Sequence, residues 1–180
     1  MDMNIRHILL AEDDPRDAKL TLAALEEHHL ANKVFVVHDG EAALDYLYCR
    51  GKFKTREGGN PVAILLDLKM PKVDGLEVLK AIKTDANLKT IPIVMLTSSR
   101  ETPDLVECYE QGVNAYVVKP VDFNEFAKAV RQLGIFWAAV NEPPPNAGKI
   151  DAALPAPAVA PLETKEPKNA LPAPHPSPGR

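Results

Sequence analysis

Five side chains that could do chemistry together stand directly after four apolar runs. Glu12 and Asp13 follow Ile5–Ala11 (IRHILLA), Asp67 follows Val62–Leu66, Thr97 follows Ile91–Leu96, and Lys119 follows Ala115–Val118. The set is three carboxylates, one hydroxyl and one ammonium. Crowded carboxylates repel, and each has its pKa raised. A hard divalent cation removes that penalty, and Mg2+ suits it because it takes a few carboxylate oxygens and several waters in an octahedral shell. A carboxylate beside bound Mg2+ is also a nucleophile towards phosphorus. The metal and a nearby ammonium neutralise charge on a transferred phosphoryl group, and a hydroxyl can donate to one of its oxygens. Brought together, these groups suit the reversible formation of an acyl phosphate.

The elements between them must do the positioning. The four runs, with Val34–Val37 as a fifth, read as short strands, and their continuous apolar character is that of parallel strands covered on both faces. Helical patterns separate them. Asp14-Pro15 gives an N-cap and first helical position, and Ala18, Leu22 and Leu25 form a face ending near His28-His29. Asp39-Gly40 turns into a helix with Ala43, Leu44 and Leu47, and a polar loop spans Gly51–Pro61. A turn with Pro71 and Gly75 leads to a helix with Leu79 and Ile82. Thr102-Pro103 caps the next helix, which Gly112 stops. Asp122 and Glu125 form a capping-box pattern opening the last. Strands alternating with helices imply right-handed crossovers and a parallel α/β sheet. Ligands of such sheets bind beyond the carboxyl ends of the strands, where the five side chains stand.

Composition limits the rest. The chain has 180 residues, 26% charged, a formal net charge of -4, 17 Pro, 9 Gly, 2 Cys and 1 Trp. No apolar run approaches the roughly 20 residues of a membrane span, and Met1–His7 has no apolar signal region. Cys49 and Cys108 make no disulfide framework and read as reduced thiols of a cytoplasmic protein. The mildly acidic balance argues against a nucleic-acid binder. Eleven of the 17 prolines lie between Pro143 and Pro178, and the tail has no aromatic residue. Such a segment cannot offset its ordering entropy. The expectation is one globular domain over residues 1–140 and a disordered Pro/Ala-rich tail over 141–180.

Four sequence blocks, LLAEDDP at 9–15, LLDLKMPKVDG at 65–75, MLTSS at 95–99 and YVVKP at 116–120, fall in order on the expected strand ends. Over roughly residues 6–139 the chain resembles the receiver domain of two-component response regulators. The resemblance implies a flavodoxin-like sheet of order 2-1-3-4-5 with five helices. It implies that Asp67 accepts a phosphoryl group from a sensor histidine kinase, and that Glu12, Asp13, Asp67 and the backbone carbonyl of Lys69 hold Mg2+, with Asp13 the more direct ligand of the acidic pair. It makes Thr97, with Ser98 beside it, the switch hydroxyl region, Tyr116 the switch aromatic and Lys119 the phosphate-pairing ammonium, and it implies a cis Lys119–Pro120 bond. Lys69 departs from the Asn found in many members, and an ammonium there bears on the lifetime of the phosphoryl group. The helix 4, strand 5 and helix 5 face would change its affinity for partners.

Other residues read more simply. Asp14 is an N-cap, Asp74 serves the turn with Gly75, His28-His29 is a solvated helix end, and the cysteines are half-buried helix residues. Tyr116 either packs as an ordinary strand residue or switches. The last helix carries one apolar stripe of Phe123, Phe126, Ala127, Val130, Gly134 and Trp137. A second, Ala129, Leu133, Phe136 and Val140, lies roughly 110° away. One stripe suffices to cover a sheet. The second either packs within the chain or marks a partner surface, and the expected form is a homodimer through Leu133, Phe136, Trp137 and Val140. The Phe136-Trp137 pair and the long loop before the third strand also resemble regulators associated with phytochrome-type kinases.

The leading function is therefore a single-domain regulator that acts by docking or by passing phosphate onward, with no nucleic-acid or membrane partner. One rival is a degenerate receiver used as an interaction module, against which the intact acids, hydroxyl and lysine argue. The other is a small Mg2+-dependent phosphatase. Such enzymes commonly carry an acid two residues after the nucleophile, where this chain has Lys69.

Overall fold

A computed structural model of the chain describes residues 7–26, 34–56 and 59–142. Five strands form one sheet: β1 (Ile8–Ala11), β2 (Val34–Val37), β3 (Ala63–Leu66), β4 (Ile93–Thr97) and β5 (Ala115–Val118). They run parallel in the order β2-β1-β3-β4-β5, as the family resemblance implied. The crossovers carry α1 (Pro15–Glu26), α2 (Gly40–Leu47), α3 (Gly75–Thr84) and α4 (Thr102–Glu110), and α5 (Phe123–Ile135) follows β5.

Every residue of β1, β3 and β4 is buried, because alternate side chains meet different layers. Leu9, Ile64, Leu66, Ile93 and Met95 pack with Leu47, Leu79, Ile82 and Cys108 from α2, α3 and α4. Ile8, Leu10, Leu65, Val94 and Leu96 pack on the other face with Ala18 and Leu25 of α1 and Phe126 and Val130 of α5. This double coverage is why the strands read as unbroken apolar runs.

Short polar residues start the helices. Pro15 opens α1, and the Arg16 amide donates to the Asp14 carboxylate at 2.7 Å. Asp39 caps α2 by accepting from the Ala42 amide. Asp74 and Glu77 form a reciprocal capping box on α3, so Asp74 does more than serve the turn. Asp122 caps α5 by accepting from the Asn124 and Glu125 amides. Gly75 is required by proximity, since a Cβ there would lie on the backbone carbonyl of Asp67. Its amide donates to the Leu68 carbonyl at 2.9 Å, which presses the start of α3 against the end of β3.

Several expectations need correction. The N-cap of α4 is Glu101 rather than Thr102, without a side-chain cap bond. Its lead-in turn is held by Ser99 instead, whose hydroxyl accepts from the Glu101 amide at 3.3 Å. The Gly51–Pro61 loop is not wholly polar in its packing. Gly51–Phe53 makes a short 3-10 turn, and Phe53 sits edge-on to Phe35 and Tyr46. Cys108 is fully buried, while Cys49 lies just past α2 with positive φ. No peptide bond among the described residues is cis, so Lys119–Pro120 is trans, the isomer an X-Pro bond ordinarily favours. After α5 the chain continues through a π turn (Phe136–Val140), where the Asn141 amide donates to the Phe136 carbonyl at 2.7 Å. The His28-His29 pair and the tail from residue 143 lie outside the described residues.

Candidate functional site

Strand register builds the site. Ala11 and Leu66 are paired in β1 and β3, so the next residues, Glu12 and Asp67, emerge side by side. The Asp67 amide donates to the Ala11 carbonyl at 2.9 Å. Thr97 is paired with Val118, and the Lys119 amide donates to the Thr97 carbonyl at 2.7 Å. The four strand ends therefore deliver Glu12, Asp67, Thr97 and Lys119 to one edge of the sheet.

Glu12, Asp13 and Asp67 can present one carboxylate oxygen each, all within 4.8 Å of one another. Glu12 is 1% exposed and Asp67 8%, whereas Asp13 faces solvent. Three hard oxygen donors, one of them open to water, fit a hard divalent cation. Burial pushes the Glu12 carboxyl up to about 7, with the Lys119 ammonium opposing the shift and the charges of Asp67 and Asp17 adding to it.

Lys119 lies at the centre of the arrangement. Its side chain is 8% exposed, and Nζ donates to Glu12 Oε2 at 2.6 Å, to Asp17 Oδ2 at 2.8 Å and to Asp67 Oδ2 at 2.9 Å. Burial alone would depress the ammonium's pKa, but the bonds to Asp17, Glu12 and Asp67 outweigh it and hold the pKa above its ordinary value. The other oxygen of Asp67, Oδ1, accepts from the Lys69 amide at 3.3 Å. The ammonium of Lys69 is drawn away from the carboxylates to Asp104 on α4, at 3.4 Å.

The Thr97 residue is fully buried, and its Oγ1 accepts from the Ser99 amide at 3.1 Å. Ser98 is exposed on the same turn. Tyr116 is half-buried, and its hydroxyl donates to the Ser99 carbonyl at 3.3 Å. The Ser99 hydroxyl in turn donates to Asp104 at 2.6 Å. One network thus joins Lys69, α4, the turn after β4 and the aromatic of β5.

The geometry brings Glu12, Asp13, Asp67 and Lys119 together, with Thr97 at the end of β4 and Tyr116 in β5 both bonded to Ser99 of the adjoining turn. Sequence reasoning missed Asp17, Ser99 and Asp104. An acid in the first turn of a helix reads as a partner of the helix dipole, which hid Asp17. The signal that could have found it is that α1 begins only three residues after Glu12, so its first turn has to hang over the strand ends. The stripe on the last helix divides. Leu133 and Trp137 are partly buried against the core, while Phe136 and Val140 are 47% and 67% exposed. Phe136 and Trp137 meet edge to face at 4.9 Å. Phe123, expected on the core stripe, is 49% exposed.

Comparison with known proteins places this geometry. Residues 8–131 match the model of the response regulator receiver domain. The response regulator Rcp1 of Synechocystis is 37% identical over 130 residues, covering 72% of this chain and 87% of Rcp1. The solved Mn2+-bound form of Rcp1 superimposes with a TM-score of 0.72 at 35% identity, over 77% of this chain and 99% of that one. The phosphorylated cyanobacterial phytochrome response regulator RcpA gives 0.72 at 35% identity, over 77% and 98%. The bacteriophytochrome response regulator AtBRR gives 0.62 at 61% identity, over 76% and 98%. With the sheet order, the acidic cluster and the strand-end lysine already in place, the chain belongs to the response regulator receiver family.

Proposed function

We propose that this protein is a single-domain response regulator of a phytochrome-type two-component system, with Asp67 as its phosphoacceptor and Mg2+ as its metal. The observation that carries the reading is Asp67, nearly buried, 2.9 Å from the Lys119 ammonium and grouped with Glu12 and Asp13. A sensor histidine kinase supplies the phosphoryl group. An Asp67 carboxylate oxygen attacks phosphorus, the P–N bond of phosphohistidine breaks, and the imidazole nitrogen keeps the electron pair. Glu12, Asp13, Asp67 and the Lys69 carbonyl are the residues that would hold Mg2+, which when bound neutralises charge on the transferred group. Lys119 supplies the second positive charge. Hydrolysis of the acyl phosphate by water resets the site, and no separate substrate is turned over.

The added charge at Asp67 is the local event, and the turn after β4 is the element it biases. The Thr97 hydroxyl, now accepting from Ser99, rotates to donate to a phosphoryl oxygen. Tyr116, bonded to the same turn, moves with it. A shift from 1% to 99% active takes roughly 5.5 kcal/mol of differential stabilisation. The altered α4–β5–α5 face binds partners, and the exposed Phe136 and Val140 beside Leu133 and Trp137 support a homodimer through the end of α5. The receiver occupies residues 1–140 and works in the cytoplasm through protein partners, with residues 141–180 as an appended tail.

The test is incubation with a small phosphodonor and Mg2+, with detection by intact mass. A single base-labile phosphoryl adduct, lost in Asp67→Asn and in EDTA, is the expected result. An adduct that survives Asp67→Asn overturns the assignment. Light scattering tests the dimer, and a monomer at high concentration in both phosphorylation states overturns it.

A further inference from the structure

Helix α4 is thinly anchored. Cys108 is its one buried residue, and charged side chains supply much of the remaining hold. Lys80 of α3 donates to Glu107 at 2.8 Å, and the Lys69 ammonium lies 3.4 Å from Asp104. The second pair bears on the site. Lys69 stands two residues after Asp67, and its amide donates to Asp67 Oδ1 at 3.3 Å. Its backbone is therefore fixed beside the phosphoacceptor while its ammonium is drawn off to α4.

Asp104 has two partners, and both meet Oδ2. The Ser99 hydroxyl donates to it at 2.6 Å, a short bond. The 3.4 Å to Lys69 is longer than a charge-assisted N–H···O bond ordinarily runs. The Lys69 side chain is 66% exposed and that of Asp104 22%. Parting them leaves the ammonium in water and the carboxylate on the Ser99 hydroxyl, so neither charge is buried without a partner. A phosphoryl group on Asp67 brings roughly two negative charges to the place where the Lys69 backbone is already held.

We infer that Asp104 is a positioning residue of the phosphorylation site, which keeps the Lys69 ammonium on α4 in the resting protein and yields it to the phosphoryl oxygens once Asp67 is modified. The inference rests on the phosphoacceptor reading and deepens it. Only the ion pair changes hands, and Ser99 keeps its bond to Asp104. The exchange removes one tie between α4 and the loop after β3, so the event that neutralises new charge also loosens α4. Linkage makes the effect mutual: a partner that draws α4 away from Lys69 favours the phosphorylated form.

The test uses the full chain with beryllium trifluoride as phosphoryl analogue in saturating Mg2+, read by fluorine NMR, with Mg2+ affinity measured separately. Asp104→Asn keeps an acceptor for the Ser99 hydroxyl but loses the charge that holds Lys69. It should tighten analogue binding about twofold to fivefold, the range of a solvent-exposed ion pair. Asp104→Glu, which keeps the charge, should stay near wild type, and Ser99→Ala should give no gain. Lys69→Met alone should weaken binding, and in that background Asp104→Asn should change nothing. Unchanged or weaker binding by Asp104→Asn overturns the inference. So does a gain of the same size without Lys69, which would mark the mere removal of a negative charge, and so does unaltered binding by Lys69→Met. If the wild-type protein binds the analogue and the Asp104 and Lys69 variants match it, this inference falls alone. If the wild-type protein binds Mg2+ but no analogue, the phosphoacceptor reading falls, and this inference with it.

Discussion

The two halves of the sheet are built to different tolerances. Around β1 and β3 every strand residue is buried, and Glu12 and Asp67 are fixed by strand register and by Lys119. Around β5 every strand residue is only half-buried. The turn after β4 carries exposed Ser98, and α4 shows Val106 and Tyr109 to solvent at 48% and 53%. The first half holds two buried carboxylates, Glu12 and Asp67, that movement would leave unpaired. The second is held by single bonds, Tyr116 to the Ser99 carbonyl and Ser99 to Asp104. The contrast suits a rigid receiving centre joined to an adaptable reporting face.

The two halves should differ most in their response to core truncation. Leu65→Ala removes a side chain that is 0% exposed in a central strand. It should destabilise the domain by about 2–5 kcal/mol, whereas Val106→Ala on α4 should stay within about 0.5 kcal/mol. Denaturant unfolding reads both, and equal losses would refute the distinction. A smaller effect is expected from Gly75→Ala, whose Cβ meets the Asp67 carbonyl. The start of α3 must shift, at about 1–3 kcal/mol, and divalent-metal affinity should fall with it.

Loss of a cap is milder. Asp122→Ala removes the side chain that accepts from the Asn124 and Glu125 amides and should lower stability by about 1 kcal/mol. The smallest effect on stability falls to Cys108, the buried thiol of α4. Burial pushes its pKa up to about 11 from an ordinary value of 9.0. A raised thiol pKa favours the protonated form in the fold, so it lowers stability only as pH climbs from that ordinary value towards the raised one. At pH 8 Cys108 should resist alkylation in the native protein while half-buried Cys49 reacts, as peptide mass mapping would show. Equal labelling would mean that α4 opens more readily than its burial implies.

The chemistry was easier to read from the sequence than its wiring. Sheet order was implied by the resemblance to receiver domains, the five-helix pattern by periodicity and caps, and the gathering of Glu12, Asp13, Asp67, Thr97 and Lys119 by apolar runs that end in polar residues, because parallel strands expose their carboxyl ends together. Asp17 was hidden because its contact depends on how α1 leans over the sheet, which local pattern does not encode. The Lys69–Asp104–Ser99 link was hidden because long side chains find partners across loops whose path periodicity does not set. The α4 cap was misplaced by one residue because Thr and Pro suggest a start that the Ser99 turn preempts. The π turn after Ile135 has the composition of ordinary helix, and nothing in Phe136–Val140 announces it.

Amide hydrogen exchange on the phosphorylated and unphosphorylated full chain separates the two halves directly. Protection should change at Ser98–Ser99, α4 and Tyr116, with β1 and β3 unaltered. Changes confined to β1, β3 and α2, with the turn after β4 and α4 silent, would contradict that division.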